Sequence, residues 1–169
     1  MISPFFKKLL LSRMIDIGNG EFKIFHKNYF LGSVEALILL REELKKKGML
    51  DILYKFGENI SKEIFNYFKK IGGEKEESVK FWLNMITMAG IGDIELVEFD
   101  TESGEVLVNC SNSPIASYYV KEKKKEKVDE LLAGIIGGFF SEYFGKKVKC
   151  EEVSCIADGK RICQFRIKQ

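Results

Sequence analysis

Apolar residues recur with helical spacing over several long stretches of this chain. The most regular stretch keeps one apolar face without a miss, and Gly134, Gly137 and Gly138 leave a flat strip on it where another backbone can come close. Helices are predicted over 33–48, 50–71, 76–89 and 127–144, and residues 1–12 are read as a short helix or arm. In the 50–71 helix, the inward stripe is expected to run from Leu53 through Phe56 to Ile71.

Strand patterns lie on both sides of these helices. Residues alternate around Gly18-Asn19-Gly20, around Glu102-Ser103-Gly104 and around Asp158-Gly159, and each of these turns predicts an antiparallel hairpin. The resulting order, β-β-α-α-α-β-β-α-β-β, predicts an α+β fold in which helices pack on an antiparallel sheet. No linker, repeat or low-complexity tract interrupts the pattern, so a single domain over residues 1–169 is expected.

Composition narrows the class of protein. Apolar residues make up 46% of the 169 residues and charged residues 31%, as in soluble globular domains with a sizeable core. A net charge of +2 gives no reason to expect nucleic-acid binding, and the mixed run at 121–127 reads as a solvated face. The chain has no apolar run of membrane-spanning length and no secretory signal, so we expect a cytoplasmic protein without a membrane partner.

The chain carries no recognisable motif of an enzyme. His26 is the only histidine, and neither a phosphate-binding loop nor a dinucleotide-binding glycine motif opens a helix. No catalytic residue is therefore predicted.

The C-terminal hairpin carries the candidate chemistry. Glu152, Cys155 and Cys163 flank its turn, and a carboxylate with two thiols supplies most of a tetrahedral zinc site. The competing interpretation is that the thiols pack in the core and the carboxylate is solvated. For Cys150, core packing is preferred over metal binding, and Cys110 is interpreted as structural or pocket-lining.

This segment resembles the end of the vinyl-4-reductase domain family, which includes a bacteriochlorophyll-synthesis accessory protein and the sensory domains of transcription activators that respond to aromatic hydrocarbons. The resemblance is carried by Glu152, Cys155, Gly159, Cys163 and Phe165, and it extends more weakly over 14–168. It implies a structural zinc ion held by Glu152, Cys155, Cys163 and a fourth ligand from the preceding helix. In the family that ligand is a cysteine, whereas counting back here leads to Asp129. A carboxylate oxygen is an acceptable zinc ligand.

The same resemblance implies a function. The family holds a hydrophobic ligand between its helices and its sheet, so Trp82, Phe81 and Met85 are candidate ligand-binding residues. The leading hypothesis is a non-catalytic domain that binds or senses a small hydrophobic or aromatic molecule and forms a homodimer. One alternative is a reductase, or an accessory protein of one, acting on a tetrapyrrole vinyl group with a hydride source from elsewhere. Another is a dimeric assembly module that uses the glycine strip or residues 1–12.

Overall fold

The computed structural model describes residues 4–12, 14–29, 32–70 and 73–168. Helices combine with two antiparallel sheets, and this α+β architecture confirms the predicted fold class. The chain forms two compact units, Met1–Leu37 and Ile38–Gln169, and the boundary between them lies inside a helix rather than in a linker. No helix of the described residues is both long enough and apolar enough to cross a membrane.

The described residues of the first unit form one complete helix, a three-stranded sheet and the start of the helix that crosses the boundary. The complete elements of this unit are α1 (Pro4–Leu11), β1 (Ile15–Gly18), β2 (Glu21–Ile24) and β3 (Lys27–Tyr29). The predicted hairpin is present, but β3 was not anticipated. Phe25 and His26 form a two-residue turn with φ of 51° and 63°, the positive values that such a turn requires. Bulky residues rarely adopt these values, so the sequence carries no turn signal there.

The second unit contains the remaining elements, beginning within α2. These are α2 (Val34–Lys46), α3 (Asp51–Lys70), α4 (Lys75–Met88), β4 (Asp93–Phe99), β5 (Val106–Ser111), α5 (Pro114–Lys121), α6 (Glu130–Phe144), β6 (Lys149–Ser154) and β7 (Cys163–Lys168). The four strands form an antiparallel sheet in the order β4-β5-β7-β6. Every predicted helix and strand of this unit is present, and α5 is additional.

Helix α6 forms the centre of the second unit, and α3 packs along it. A Cβ atom added at Gly134 would lie 2.0 Å from the carbonyl oxygen of Tyr54, and one added at Gly57 would lie 2.3 Å from that of Leu131. The glycine strip of α6 is therefore covered by α3 of the same chain. An assembly module that uses this strip against a second chain was a wrong expectation, because no room is left on it.

The same close approach corrects the inward face predicted for α3. Phe56 is 52% exposed, whereas Gly57 and Ser61 lie on the buried face with Leu53. Small residues face α6 because the two backbones nearly touch, and a pattern read from apolar side chains misses them. Residues 71 and 72, the predicted end of this helix, lie outside the described part of the chain.

The C-terminal strands pair as an antiparallel hairpin, with a bulge between Glu152 and Ser154. The connection runs over 155–162 and contains a short 3₁₀ helix, Ile156–Asp158, so it is longer than the tight Asp-Gly turn that was predicted. Gly159 does adopt the expected positive φ, at 79°.

Candidate functional site

The two ends of the hairpin connection bring a pair of thiols together. Cys155 follows β6 and Cys163 opens β7, and both side chains are fully buried. Their Sγ atoms are 3.8 Å apart, and the backbone N–H of Ile156 donates to the Cys163 sulfur at 3.4 Å.

The segment that enters α6 lies against this hairpin. Asp129 occupies the N-cap position of α6 and is 2% exposed, but its carboxylate does not cap its own helix. It accepts a hydrogen bond from the hydroxyl of Ser113 instead, with distances of 2.8 and 3.1 Å to its two oxygens. The N–H groups of Val128 and Asp129 donate to Oε2 of Glu152 at 3.1 and 3.2 Å. Among the described residues, these hydrogen bonds to Glu152 all reach Oε2 and none reaches Oε1.

The four residues expected to bind zinc are brought together by the fold. One ligand atom from each of Asp129, Glu152, Cys155 and Cys163 lies within 4.8 Å of the others. Within the described ranges, Oε1 of Glu152 is buried and has no hydrogen-bond partner of ordinary geometry. Metal binding itself stays a prediction. The geometry shows that the donor atoms converge, although they come from β6, β7, the hairpin connection and α6.

Burial of this acidic cluster shifts its ionisation. Burial raises the pKa of Glu152 to about 9, and the nearby thiol of Cys155 and carboxylate of Asp129 act in the same direction. Burial also raises the pKa of Asp129 to about 6, against the opposing hydrogen bond from Ser113. The adjacent sulfur of Cys163, together with burial, raises the pKa of the Cys155 thiol. Because Glu152, Asp129 and Cys155 all resist ionisation, the cluster is suited either to bind a cation or to keep its protons.

The other two cysteines lie outside the cluster. Cys150 is 2% exposed, and its backbone N–H donates to the hydroxyl oxygen of Tyr54 at 2.9 Å. Cys110 pairs in register with Cys163 on the neighbouring strand, and burial raises its pKa to about 12. Both positions agree with the packing roles preferred for them.

Ser113 is the residue of the site that the sequence analysis missed. It is the N-cap of α5, and its hydroxyl accepts a hydrogen bond from the N–H of Ala116 at 3.1 Å. Serine followed by proline is a recognised start of a helix, so the cap could have been predicted. Its contact with Asp129, sixteen residues later, could not.

The candidate ligand-binding residues lie in an aromatic cluster between α3, α4 and α6. Trp82 is fully buried and stacks on Phe139, with ring centroids 4.5 Å apart. Met85 is also buried, and Phe81 packs against Phe68 at 4.8 Å. In the part of the chain that the structure describes, the indole N–H of Trp82 has no hydrogen-bond acceptor. Buried indole N–H groups usually find a partner, so this donor is unusual.

Comparison with known proteins gives a match that includes the hairpin. Residues 107–169 match the family model of the vinyl-4-reductase domain. The resemblance read from the C-terminal residues is thereby confirmed. Three of the four candidate metal ligands lie on the hairpin in the matched segment, and Asp129 also falls within it.

Known proteins resemble this chain over most of its length at low sequence identity. An uncharacterized protein of Methanocaldococcus jannaschii, MJ1460, is 26% identical over 137 residues, covering 79% of this chain and 75% of that protein. The phenol-responsive sensory domain of the transcription activator PoxR, crystallised with phenol, superimposes with a TM-score of 0.80 at 16% identity, covering 99% of this chain and 91% of that one.

Two further structures are similar over most of the chain. A vinyl-4-reductase family protein from Methanocaldococcus jannaschii has a TM-score of 0.58 at 20% identity, with 83% of each chain covered. A trafficking protein particle complex subunit 3 from Naegleria fowleri, covalently bound to palmitic acid, has a TM-score of 0.56 at 15% identity and covers 79% of this chain and 90% of that one. These likenesses establish a common fold.

Proposed function

We propose that this chain is a non-catalytic domain that binds or senses a small hydrophobic or aromatic molecule, and that a structural zinc ion ties its C-terminal hairpin to α6. The observation that carries the metal half is the buried convergence of Asp129, Glu152, Cys155 and Cys163. These residues come from two strands, the hairpin connection and the N-terminus of α6, and metal binding explains why four ionisable groups meet there.

The spacing of the two sulfurs fits the proposed ion. Zinc–sulfur bonds of about 2.3 Å at a tetrahedral angle place two thiolates about 3.8 Å apart. The Sγ atoms of Cys155 and Cys163 are separated by 3.8 Å. The free oxygen of Glu152 and the carboxylate of Asp129 supply the remaining two positions, and the hydrogen bonds to both groups are of the kind that orient metal ligands.

The charge of the cluster also supports a cation. Two carboxylates and two thiolates carry four negative charges when ionised, and Glu152 has a pKa of about 9 without a metal. A divalent ion would offset half of that charge. It would also make the ionised forms the stable ones.

Native mass spectrometry of the untagged full chain, compared with its denatured mass, tests the metal. We expect one zinc per chain that is lost on denaturation, and we expect Cys163→Ser to lose it. Cys150→Ser is the matched control, because that thiol is equally buried on the same hairpin but outside the cluster. A metal-free wild type, or a Cys150→Ser variant that loses zinc as completely as Cys163→Ser, would contradict the proposed site.

The ligand half of the proposal rests on the indole of Trp82. Its N–H is buried among aromatic rings without an acceptor among the described residues, so a bound molecule with one polar oxygen on an apolar body would satisfy it. Phenol has this chemistry, and the PoxR sensory domain of the same fold was crystallised with phenol. Phe81 and Met85, on the same helix, are proposed to contact the apolar part of the ligand.

Helix α6 links the two halves of the proposal. Its first turn adjoins Asp129, and Phe139 further along it stacks on Trp82. Zinc at one end of α6 would therefore fix the helix that forms one wall of the ligand site.

Isothermal titration calorimetry with phenol tests the ligand site. Replacing Trp82 by Phe keeps a ring and removes the N–H donor, so we expect affinity to fall by about 1 kcal/mol, or roughly fivefold. Phe56→Leu is the matched control, because this aromatic side chain is exposed on α3. Equal affinities in wild type and Trp82→Phe would contradict the role of the indole. If wild type bound neither phenol nor other small aromatic compounds, the ligand proposal would fail.

The proposal extends to a cytoplasmic homodimer that contacts no nucleic acid or membrane on its own. Four buried free thiols suit a reducing compartment, and the balanced charge does not favour nucleic acid. Leu39 and Phe56 are 68% and 52% exposed, and large exposed apolar side chains suit a contact between copies. The native mass spectrum reports the oligomeric state in the same measurement, and a monomer at micromolar concentration would contradict the dimer.

A further inference from the structure

A buried arginine lies close to the four candidate metal ligands but is not one of them. Arg41 is on α2 and is 2% exposed. Its Nε and one terminal nitrogen donate to the two oxygens of Glu130 at 2.8 and 2.7 Å, a bidentate ion pair. That same terminal nitrogen donates to the carbonyl oxygen of Lys127 at 3.0 Å, and the other donates to the hydroxyl of Tyr119 at 3.0 Å.

These contacts fix both ends of the short segment that enters α6. Lys127 and Glu130 are held by one guanidinium, and the two residues between them face the cluster. Val128 and Asp129 donate their N–H groups to Glu152. Asp129 also supplies a candidate ligand atom. The position of two of the four ligands therefore depends on a segment that Arg41 holds.

We propose that Arg41 is a positioning residue for the metal centre and that it couples helix α2 to metal binding. This inference rests on the proposed metal site. It assigns a role in metal binding to Arg41 and to α2, neither of which contributes a metal ligand. The planar fork of arginine reaches a carboxylate and a backbone carbonyl at once, and the ammonium of lysine cannot reproduce that geometry. Coupling between two sites is reciprocal, so metal binding must also order α2 if Arg41 orders the metal centre.

Cobalt(II) binding to the metal-free full chain measures this role. Cobalt is titrated against a chromophoric chelator, and its thiolate charge-transfer absorption reports on the two cysteines. For Arg41→Lys we expect cobalt affinity to fall by about 10-fold to 100-fold, as for other groups that orient metal ligands. Glu130→Gln is a second variant, because it removes the ionic contact while keeping the side-chain shape, and the same direction is expected.

A matched control separates positioning from general loss of stability. Ser61→Ala removes a fully buried hydrogen bond between α3 and the carbonyl of Ile135, in the middle of α6 and away from the cluster. We expect this variant to unfold more easily and to bind cobalt as wild type does. Hydrogen exchange supplies the second readout: metal should slow exchange over residues 38–46 in wild type and have little effect there in Arg41→Lys.

Each outcome bears on the inference. If Arg41→Lys and Glu130→Gln bind cobalt within about twofold of wild type, the positioning role is overturned and the metal proposal stands. If Ser61→Ala weakens binding as much as Arg41→Lys, the effect is general destabilisation and the role is again overturned. If wild type binds no cobalt, the metal proposal fails and this inference fails with it.

Discussion

The packing of α3 on α6 makes Gly134→Ala an informative substitution. The added Cβ would lie 2.0 Å from the carbonyl oxygen of Tyr54, whereas ordinary contact begins at 3.4 Å, so the helices must separate locally by about 1.4 Å. Both atoms are fixed to backbone, and no side chain can rotate away to relieve the clash.

The expected cost follows from three terms. Overpacking of this kind costs about 3 kcal/mol, at the upper end of the usual range. Separating the helices also weakens the hydrogen bond from Ser61 to the carbonyl of Ile135, which is worth about 1 kcal/mol. Alanine recovers about 1 kcal/mol over glycine as a helix former. We expect a net loss of about 3 kcal/mol in the free energy of unfolding, or a fall in Tm of about 6–12 °C.

Guanidinium denaturation, monitored by the fluorescence of Trp82, measures this change in the free energy of unfolding. Trp82 is a suitable probe because it is the only tryptophan in the sequence and stacks on Phe139 of α6. Gly18→Ala is the matched control, since a Cβ there meets nothing within 4 Å and its φ is not positive. The control should lie within about 0.5 kcal/mol of wild type. A Gly134→Ala variant that is equally unaffected, or more stable, would refute the close packing of the two helices.

Three further outcomes are expected. The raised pKa of Glu152 predicts that the metal-free protein loses stability as pH rises from about 4, the pKa in the unfolded chain, to about 9, the pKa in the folded protein. Zinc should reverse this trend because it binds the ionised carboxylate. Thermal unfolding from pH 5 to 9 with and without zinc measures both trends, and a flat metal-free profile would contradict the raised pKa. Tyr54→Phe should cost about 1–3 kcal/mol in denaturant unfolding, because it leaves the buried N–H of Cys150 without an acceptor, and a neutral substitution would argue against that bond. Ser113→Ala should lower zinc affinity about 10-fold by releasing Asp129, measured by chelator competition, and unchanged affinity would remove Ser113 from the site.

The candidate metal site was predictable where its residues are close in sequence. Glu152, Cys155 and Cys163 fall on one hairpin, so alternation and turn position were enough to bring them together. Asp129 was reached only through the family resemblance, because it lies at the start of α6 beside the apolar face. Its place in the cluster depends on how α6 docks against the hairpin, and no local pattern encodes that docking.

The parts of the fold that sequence reasoning missed have particular causes. The inward face of α3 was wrongly predicted to include Phe56. The residues that face α6 are Gly57 and Ser61, and their small size lets the two helices approach closely. Strand β3 was missed because Phe25 and His26 form a turn that other residues usually form. Arg41 was overlooked for another reason: a basic residue on a predicted helix is normally solvated, and only tertiary structure supplies its partly buried carboxylate partner, Glu130.

Zinc-edge X-ray absorption of the full chain tests the central claim most directly, because it reads the atoms around the metal. A shell of two sulfurs at about 2.3 Å and two oxygens at about 2.0–2.2 Å is predicted, corresponding to Cys155, Cys163, Asp129 and Glu152. Asp129→Asn should change the oxygen shell and leave both sulfurs in place. A first shell without sulfur, or a protein that holds no stoichiometric zinc after loading, would contradict the account.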